Sequence, residues 1–213
     1  FLYQGAEVLF CDVDPESGHI CLSSLEEILS KTNTPEEEPV NLISSVSFAG
    51  SVSPMNECME LAKVHGFKIV EDASHSTGAF KNVSEGTVLK SGSCEYSEAS
   101  CLSFHPVKHL CCGEGGAVLT NSYELAEKSK SLRSHGICRP YSEHHSTPWF
   151  YEQRELGWNY RMTDLQATLG LSQLSRLDEF LKRRTELAVR YDRFFAEARF
   201  SDQLIRPTLE TGH

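Results

Sequence analysis

The chain has 213 residues, of which 20 are basic and 30 are acidic, so its formal net charge at pH 7 is −10. This balance argues against a general binder of nucleic acids or acidic membranes, because such a protein needs a basic surface. Hydrophobic residues make up 39% of the chain, which excludes a disordered or fibrous class, and no apolar run approaches the roughly 20 residues of a membrane helix.

Short apolar runs alternate with helical patterns along the chain. The runs predicted to be strands are 7–13, 40–48, 67–70, 101–104 and 117–120. One predicted helix begins after the capping box at 24–27. Three others span 54–65, 123–133 and 164–174, and a long last helix covers 175–198. This alternation predicts a largely parallel α/β sheet, whose ligands bind at the carboxyl ends of the strands.

Sequence signals mark the ends of these helices. The predicted start signals are a capping box of Ser24 and Glu27, Ser53 followed by Pro54, Asn121, and a capping box of Thr163 and Gln166. Gly66 and Gly136 are predicted to end the second and third helices. The long segment 137–160, rich in His, Pro and aromatic residues, is predicted to be a functional loop.

Two groups of polar residues directly follow predicted strands. Asp72 comes after 67–70, where a carboxylate either simply ends the strand or holds a cationic nitrogen. Lys108 comes after 101–104 and precedes a glycine-rich stretch, 113–116. It is either a surface lysine or, in a desolvated site, a nucleophilic amine. The hydroxyl of Ser103 is a candidate phosphate contact.

A third group, Asn159 and Arg161, lies just before the Thr163 cap. These residues either contact an anion or form an ordinary helix entry.

The eight cysteines permit two readings. The chain is long enough to build a core without disulfides and has no CxxC spacing, so we expect reduced thiols and a cytosolic protein. A zinc site is the alternative, and its candidate ligands are His105, His109, Cys94, Cys101, Cys111 and Cys112. Pro106 between the two histidines disfavours a helical two-histidine face, so we expect no metal.

Five segments occur in a fixed order along the chain. They are EDASHSTGA (71–79), SFHPVK (103–108), GEGGAVLTN (113–121), LRSHG (132–136) and NYRMTDLQATLGLSQL (159–174). Each is weak alone, but together they resemble the DegT/DnrJ/EryC1/StrS family of sugar aminotransferases. That family uses pyridoxal 5′-phosphate (PLP) on a fold type I scaffold. The resemblance covers about 3–181.

The resemblance implies a role for five residues. Lys108 matches the lysine that forms a Schiff base with PLP, and Asp72 matches the carboxylate that pairs with the pyridinium nitrogen. His75 falls where the family places a polar residue against the cofactor ring, and Ser103 matches a phosphate contact. Asn159 matches a residue that reaches the cofactor phosphate of the neighbouring subunit, which implies a homodimer with shared active sites.

The resemblance also implies the domain organisation. Residues 1–175 would form the PLP-binding large domain, a mostly parallel sheet flanked by helices, without its N-terminal part. A helix in 176–213 would lead into a small C-terminal domain that is mostly missing. Family chains have roughly 350–400 residues, so we expect the 213 residues alone to be inactive. Cys111 and Cys112 depart from the hydroxyl residues that the family usually carries there.

The implied reaction transfers an amino group from glutamate to the 4-keto group of a UDP-linked deoxy sugar, as in the biosynthesis of pseudaminic acid. Two alternatives stay open beside it. One is a sugar dehydratase of the same family, in which a histidine replaces the lysine, and Lys108 argues against it. The other is a homologue that binds PLP or a protein partner without catalysis.

Overall fold

The computed structural model describes residues 1–32, 38–84, 86–138 and 149–197. Within these ranges the α-helices are α1 (Leu22–Thr32), α2 (Met55–His65), α3 (Tyr123–Leu132), α4 (Asp164–Leu174) and α5 (Leu177–Glu197). The strands are β1 (Leu42–Val46), β2 (Lys68–Asp72), β3 (Phe80–Ser84), β4 (Thr87–Lys90), β5 (Ala99–Ser103), β6 (Gly116–Leu119), β7 (Ile137–Cys138) and β8 (Glu152–Gln153).

The main sheet has the strand order β1-β2-β5-β6. The first three strands are parallel, and β6 returns antiparallel to β5 at the edge. An antiparallel return needs no crossover helix, so the loop of 104–115 is long enough to make it. The predicted α/β class, with a mostly parallel sheet flanked by helices, is confirmed.

The core lies on one face of this sheet, beneath α1 and α2. Period-2 alternation directs Ile43 of β1 and Ile69 of β2 to the same side, where both are buried. Leu29 of α1 and Cys58 of α2 pack into the same cluster and are fully buried. The opposite face carries partly exposed apolar side chains, such as Val46.

The strand predicted at 7–13 is wrong. This segment runs extended, but in the described structure its ladder pairing is limited to an isolated bridge between Val13 and Ile20. Leu9 and Phe10 are largely exposed. Local alternation is not sufficient for a strand, because the backbone also needs a hydrogen-bonded neighbour.

The Thr163 capping box is confirmed. The Thr163 hydroxyl accepts from the Gln166 amide, and the Gln166 side chain accepts from the Thr163 amide. The division into two domains stays a prediction, although the break between α4 and α5 falls at 175–176.

Three other predicted helix starts are wrong by one to three residues, because each predicted cap forms hydrogen bonds elsewhere. Helix α1 begins at Leu22, and the hydroxyl of Ser24 accepts a hydrogen bond from the amide of Asp12. The Ser53 hydroxyl forms a hydrogen bond with the Ser45 hydroxyl, and the N-cap position of α2 is occupied by Pro54. Ser122 caps α3, since the side-chain amide of Asn121 donates to the carbonyls of Ser93 and Cys94.

Two glycines were predicted to end helices, with different outcomes. Gly66 ends α2 in a left-handed conformation, as predicted. Helix α3 is capped by Arg133, three residues before Gly136. The antiparallel hairpin of β3 and β4 was not predicted, because its register is irregular and its polar sequence shows no clean alternation.

Candidate active site

The carboxyl ends of β1, β2 and β5 meet at one edge of the sheet because these strands are parallel. In register, Val46 is opposite Asp72, and Asp72 is opposite Cys101. Asp72 is therefore the last residue of the central strand of the three. Ser103 ends β5 next to it.

The carboxylate of Asp72 is held by the residue two positions further on. Its Oδ1 atom accepts from the Ser74 amide at 3.0 Å and from the Ser74 hydroxyl at 2.5 Å. Among the described residues, no hydrogen bond engages Oδ2. The carboxylate is thus fixed in direction, half-buried, and has one oxygen available for a cationic donor.

The preceding residue, Glu71, is the buried partner of three loops. It is 3% exposed, and its carboxylate accepts from the hydroxyls of Ser47 at 2.8 Å and Ser91 at 3.0 Å and from the amide of Gly92 at 2.9 Å. The Ser91 hydroxyl also meets that of Ser76 at 2.6 Å. Glu71 therefore links the loops that follow β1 and β4 directly, and the loop that follows β2 through Ser91.

Lys108 lies in a turn within the loop that joins β5 to β6. Its amide donates to the carbonyl of His105 at 2.9 Å, and its side chain is partly buried. Backbone hydrogen bonds close the base of this loop, from Phe104 to Gly115 at 2.8 Å and from Cys112 to Phe104 at 2.9 Å. Lys108 therefore lies in a loop whose base is closed by backbone hydrogen bonds.

The side chain of His109 joins the Lys108 loop to the loop that follows β2. Its Nδ1 atom lies 2.9 Å from the carbonyl oxygen of Thr77. Burial lowers the pKa of His109, and the nearby charges of Arg184, His75 and Lys108 lower it further, against the opposing effect of the Thr77 hydrogen bond. Sequence reasoning treated His109 only as a metal ligand and missed this contact.

His75 lies against the segment that follows β1. Its ring centroid is 5.4 Å from that of Phe48, at an interplanar angle of 42°. Beside Phe48, the backbone turns through positive φ angles at Ala49 (52°) and Gly50 (91°). The structure therefore groups Asp72, His75, Ser103 and the Lys108 loop at one edge of the sheet.

Asn159 lies on a different segment. It is exposed, forms a backbone bridge with Ser134, and accepts a 3.4 Å hydrogen bond from Arg161. Two backbone hydrogen bonds flank the bridge, from His135 to Trp158 at 2.8 Å and from Tyr160 to Arg133 at 2.8 Å. The segment LRSHG thus supports the segment that carries Asn159. Its predicted reach into a neighbouring subunit stays a prediction.

The predicted functional loop 137–160 is only partly covered, since 139–148 lie outside the described residues. On either side of that gap, β7 and β8 pair as a short antiparallel ladder.

All eight cysteines carry free thiols. The Sγ atom of Cys94 donates to the carbonyl of Leu119 at 3.2 Å, and that of Cys112 donates to the carbonyl of Glu114 at 3.3 Å. Burial raises the pKa of the Cys58 thiol to about 11. Across the described ranges, no three His, Cys, Asp or Glu side chains are grouped so that they could hold a metal ion.

Comparison with known proteins identifies the class to which this fold and site belong. The model of the DegT/DnrJ/EryC1/StrS aminotransferase family matches residues 1–210, and the chain belongs to that family.

Among curated proteins, it is 38% identical over 195 residues to UDP-4-amino-4,6-dideoxy-N-acetyl-beta-L-altrosamine transaminase of Campylobacter jejuni, covering 91% of this chain and 47% of that protein. It is 31% identical over 206 residues to GDP-perosamine synthase of Caulobacter vibrioides, covering 96% of this chain and 49% of that protein. The chain therefore spans about half the length of these relatives.

Among solved structures, the chain resembles Helicobacter pylori PseC, described as an aminotransferase involved in the biosynthesis of pseudoaminic acid. The TM-score is 0.78 at 29% identity, over 97% of this chain and 51% of that one. No helix in the described part of the chain is both long and apolar enough to cross a membrane.

Proposed function

We propose that the full-length protein is a PLP-dependent aminotransferase. It would transfer an amino group from glutamate to the 4-keto group of a UDP-linked deoxy sugar, in the biosynthesis of pseudaminic acid or a related surface glycan. The observation that carries this proposal is that Asp72 and Ser103 end neighbouring strands at one sheet edge and that Lys108 lies in the loop that follows Ser103. Family membership and the transaminase relatives support it.

The residues present fit PLP chemically. The cofactor has an aldehyde, a ring nitrogen and a phosphate, and this edge supplies an amine, a carboxylate and a hydroxyl. The carboxylate of Asp72 keeps one oxygen available while Ser74 holds the other. That arrangement suits a protonated ring nitrogen, because a charge-assisted hydrogen bond is strongest when its acceptor is already oriented.

Each residue then has a defined task. When bound, PLP supplies an electron sink for negative charge that develops on the substrate carbon. Asp72 would hold the ring nitrogen in its protonated form. The Lys108 amine would hold the cofactor and would move a proton at the reacting carbon. His75, which packs against Phe48, would line the cofactor ring, and Ser103 would donate its hydroxyl to the phosphate.

Three finer points belong to this proposal. Glutamate is the expected amino donor, and a homodimer is expected in which Asn159 reaches the partner's cofactor phosphate. The exposure of Asn159 supports that role. A cytoplasmic location is expected, since nucleotide sugars are the substrates.

The test is to replace Lys108 in the full-length protein and to titrate wild type and Lys108→Ala with PLP. Wild type should gain a visible absorbance band that fades when glutamate is added and should aminate a UDP-4-keto sugar. Lys108→Ala should lack both the band and turnover.

Lys63→Ala is the matched control, because Lys63 is an exposed lysine of α2 paired only at the surface with Glu60. It should behave like wild type. A folded wild-type protein that gains no band with PLP would remove the proposal and leave a binding role. If Lys108→Ala kept full turnover, the assignment of Lys108 would be wrong.

A further inference from the structure

The ring of His109 lies where three loops of the candidate site meet. Its own loop follows β5 and carries Lys108, while its Nδ1 atom contacts the Thr77 carbonyl of the loop that follows β2. A Cβ atom built on Gly50, in the loop that follows β1, would lie 3.6 Å from Cε1 of His109 and 3.9 Å from the carbonyl oxygen of His75. The ring is therefore in close reach of all three loops.

The contact with Thr77 also fixes the tautomer of the ring. A carbonyl oxygen can only accept, so Nδ1 must carry the proton. In the neutral imidazole, Nε2 is then a lone-pair acceptor.

The groups that face this ring favour the neutral form. Lys108 is the adjacent residue, His75 approaches from the loop after β2, and Arg184 approaches from α5. Three basic groups disfavour a further positive charge, and burial acts in the same direction. The ring is therefore suited to hold its hydrogen bond without adding a cation next to the Lys108 amine.

We propose that His109 is a positioning residue, which fixes the Lys108 turn against the loop that follows Asp72 and carries His75 by donating a hydrogen bond from Nδ1 to the Thr77 carbonyl. Because Lys108 and His109 are adjacent, an anchored His109 ring restrains the backbone from which the Lys108 side chain extends. The inference rests on the proposed function, because it assigns His109 to the alignment of the PLP-binding lysine.

Two variants of similar size separate the hydrogen bond from simple packing. In asparagine the side-chain amide nitrogen is two bonds from Cβ, as Nδ1 is in histidine, so His109→Asn can still donate to Thr77. His109→Leu places a methyl group at the same position and cannot donate. His105→Asn is the control. His105 is an exposed histidine in the same turn, and the Oδ1 atom of asparagine can still accept from the Val107 amide, as His105 Nδ1 does at 3.4 Å.

The experiment uses the full-length protein and PLP as the probe. We measure the dissociation constant of PLP by absorbance, the fraction of PLP linked to Lys108 after borohydride reduction by peptide mass, and acylation of Lys108 in the cofactor-free protein. A thermal melt of each cofactor-free variant reports on folding. Acylation and melting do not depend on activity or on bound PLP.

His109→Leu should raise the dissociation constant of PLP roughly three- to tenfold, as expected for the loss of one aligned hydrogen bond. It should also change the extent to which Lys108 is acylated in the cofactor-free protein. His109→Asn should recover most of both effects, and His105→Asn should match wild type. If His109→Leu does not fold, His109→Gln is used instead. The side-chain amide nitrogen of glutamine is one bond farther from Cβ than Nδ1 of histidine, so it is misplaced for the hydrogen bond to Thr77.

Two outcomes would overturn the inference. If His109→Leu binds PLP like wild type with an unchanged yield at Lys108, the ring does not position the lysine. If His109→Asn is as impaired as His109→Leu although both melt like wild type, the hydrogen bond is not the cause. Failure of wild type itself to bind PLP would instead reject the proposed function, and this inference with it.

Discussion

The carboxylates of Glu71 and Asp72, adjacent residues of β2, lie on opposite faces of the sheet. Glu71 is 3% exposed on the core face and accepts three hydrogen bonds from neighbouring loops. Asp72 is half-buried on the other face and is held by Ser74 alone among described residues. Period-2 alternation produces this separation, so one carboxylate supports the loops while the other is available to a ligand.

Replacing Glu71 should therefore destabilise the fold. In Glu71→Ala, the buried Ser47 and the partly buried Ser91 and Gly92 lose their acceptor, and a cavity replaces the carboxylate. We expect the free energy of unfolding of the full-length protein to fall by about 2–4 kcal/mol. Urea unfolding followed by circular dichroism measures this quantity.

Glu60→Ala is the control for this measurement, because Glu60 is an exposed glutamate of α2 whose partner is Lys63. Its loss should cost no more than about 1 kcal/mol. If the two variants were equally stable, the network around Glu71 would contribute nothing to folding.

The lowered pKa of His109 makes a pH-dependent prediction. The unfolded chain gains a proton at this residue near pH 6.5, whereas the folded chain gains it only at a lower pH. Between these two pKa values the unfolded state binds more protons, so the free energy of unfolding should decrease as the pH falls below about 6.5. Below the folded pKa, this contribution should stop changing.

His109→Asn lacks the titrating group and should lose less stability on acidification than wild type. Urea unfolding of the cofactor-free protein at about pH 7.5 and about pH 5.5 compares the two. The same acid-induced loss in both would show that His109 does not titrate with a lowered pKa.

Local patterns predicted the parallel strands β1 and β2 well, because both are short and carry the β-branched residues that favour strands. Val70 and its neighbours predicted β2, and with it the place of Asp72 at the end of the strand. The segment 7–13 has a similar pattern but no partner strand in the described structure, and pairing is not a local property. The predicted caps failed where a serine had a competing tertiary partner, as Ser53 has in Ser45.

The candidate site was less accessible to sequence reasoning. The position of Lys108, after a strand and before a glycine-rich stretch, made it a candidate but did not separate it from a surface lysine. Only the ordered motifs predicted its role. The roles of Glu71 and His109 depend on contacts between residues that are distant along the chain. Glu71 and Ser91 are 20 positions apart, and His109 and Thr77 are 32 positions apart. The available clue to Glu71 was its position two residues after Ile69, which places both side chains on the same, core-facing side of the strand.

The close approach of 132–136 to the Asn159 segment gives the last prediction. Gly136 has φ +69°, and a Cβ atom there would collide with the backbone carbonyl oxygen of Glu155, which cannot rotate away. Gly66 has φ +81° with open space around its Cβ position. Gly66→Ala should therefore cost only the backbone strain, about 1–2 kcal/mol, whereas Gly136→Ala should cost more and displace the segment that carries Asn159. Urea unfolding of both variants measures the difference, and equal losses would mean that this contact does not hold the two segments together.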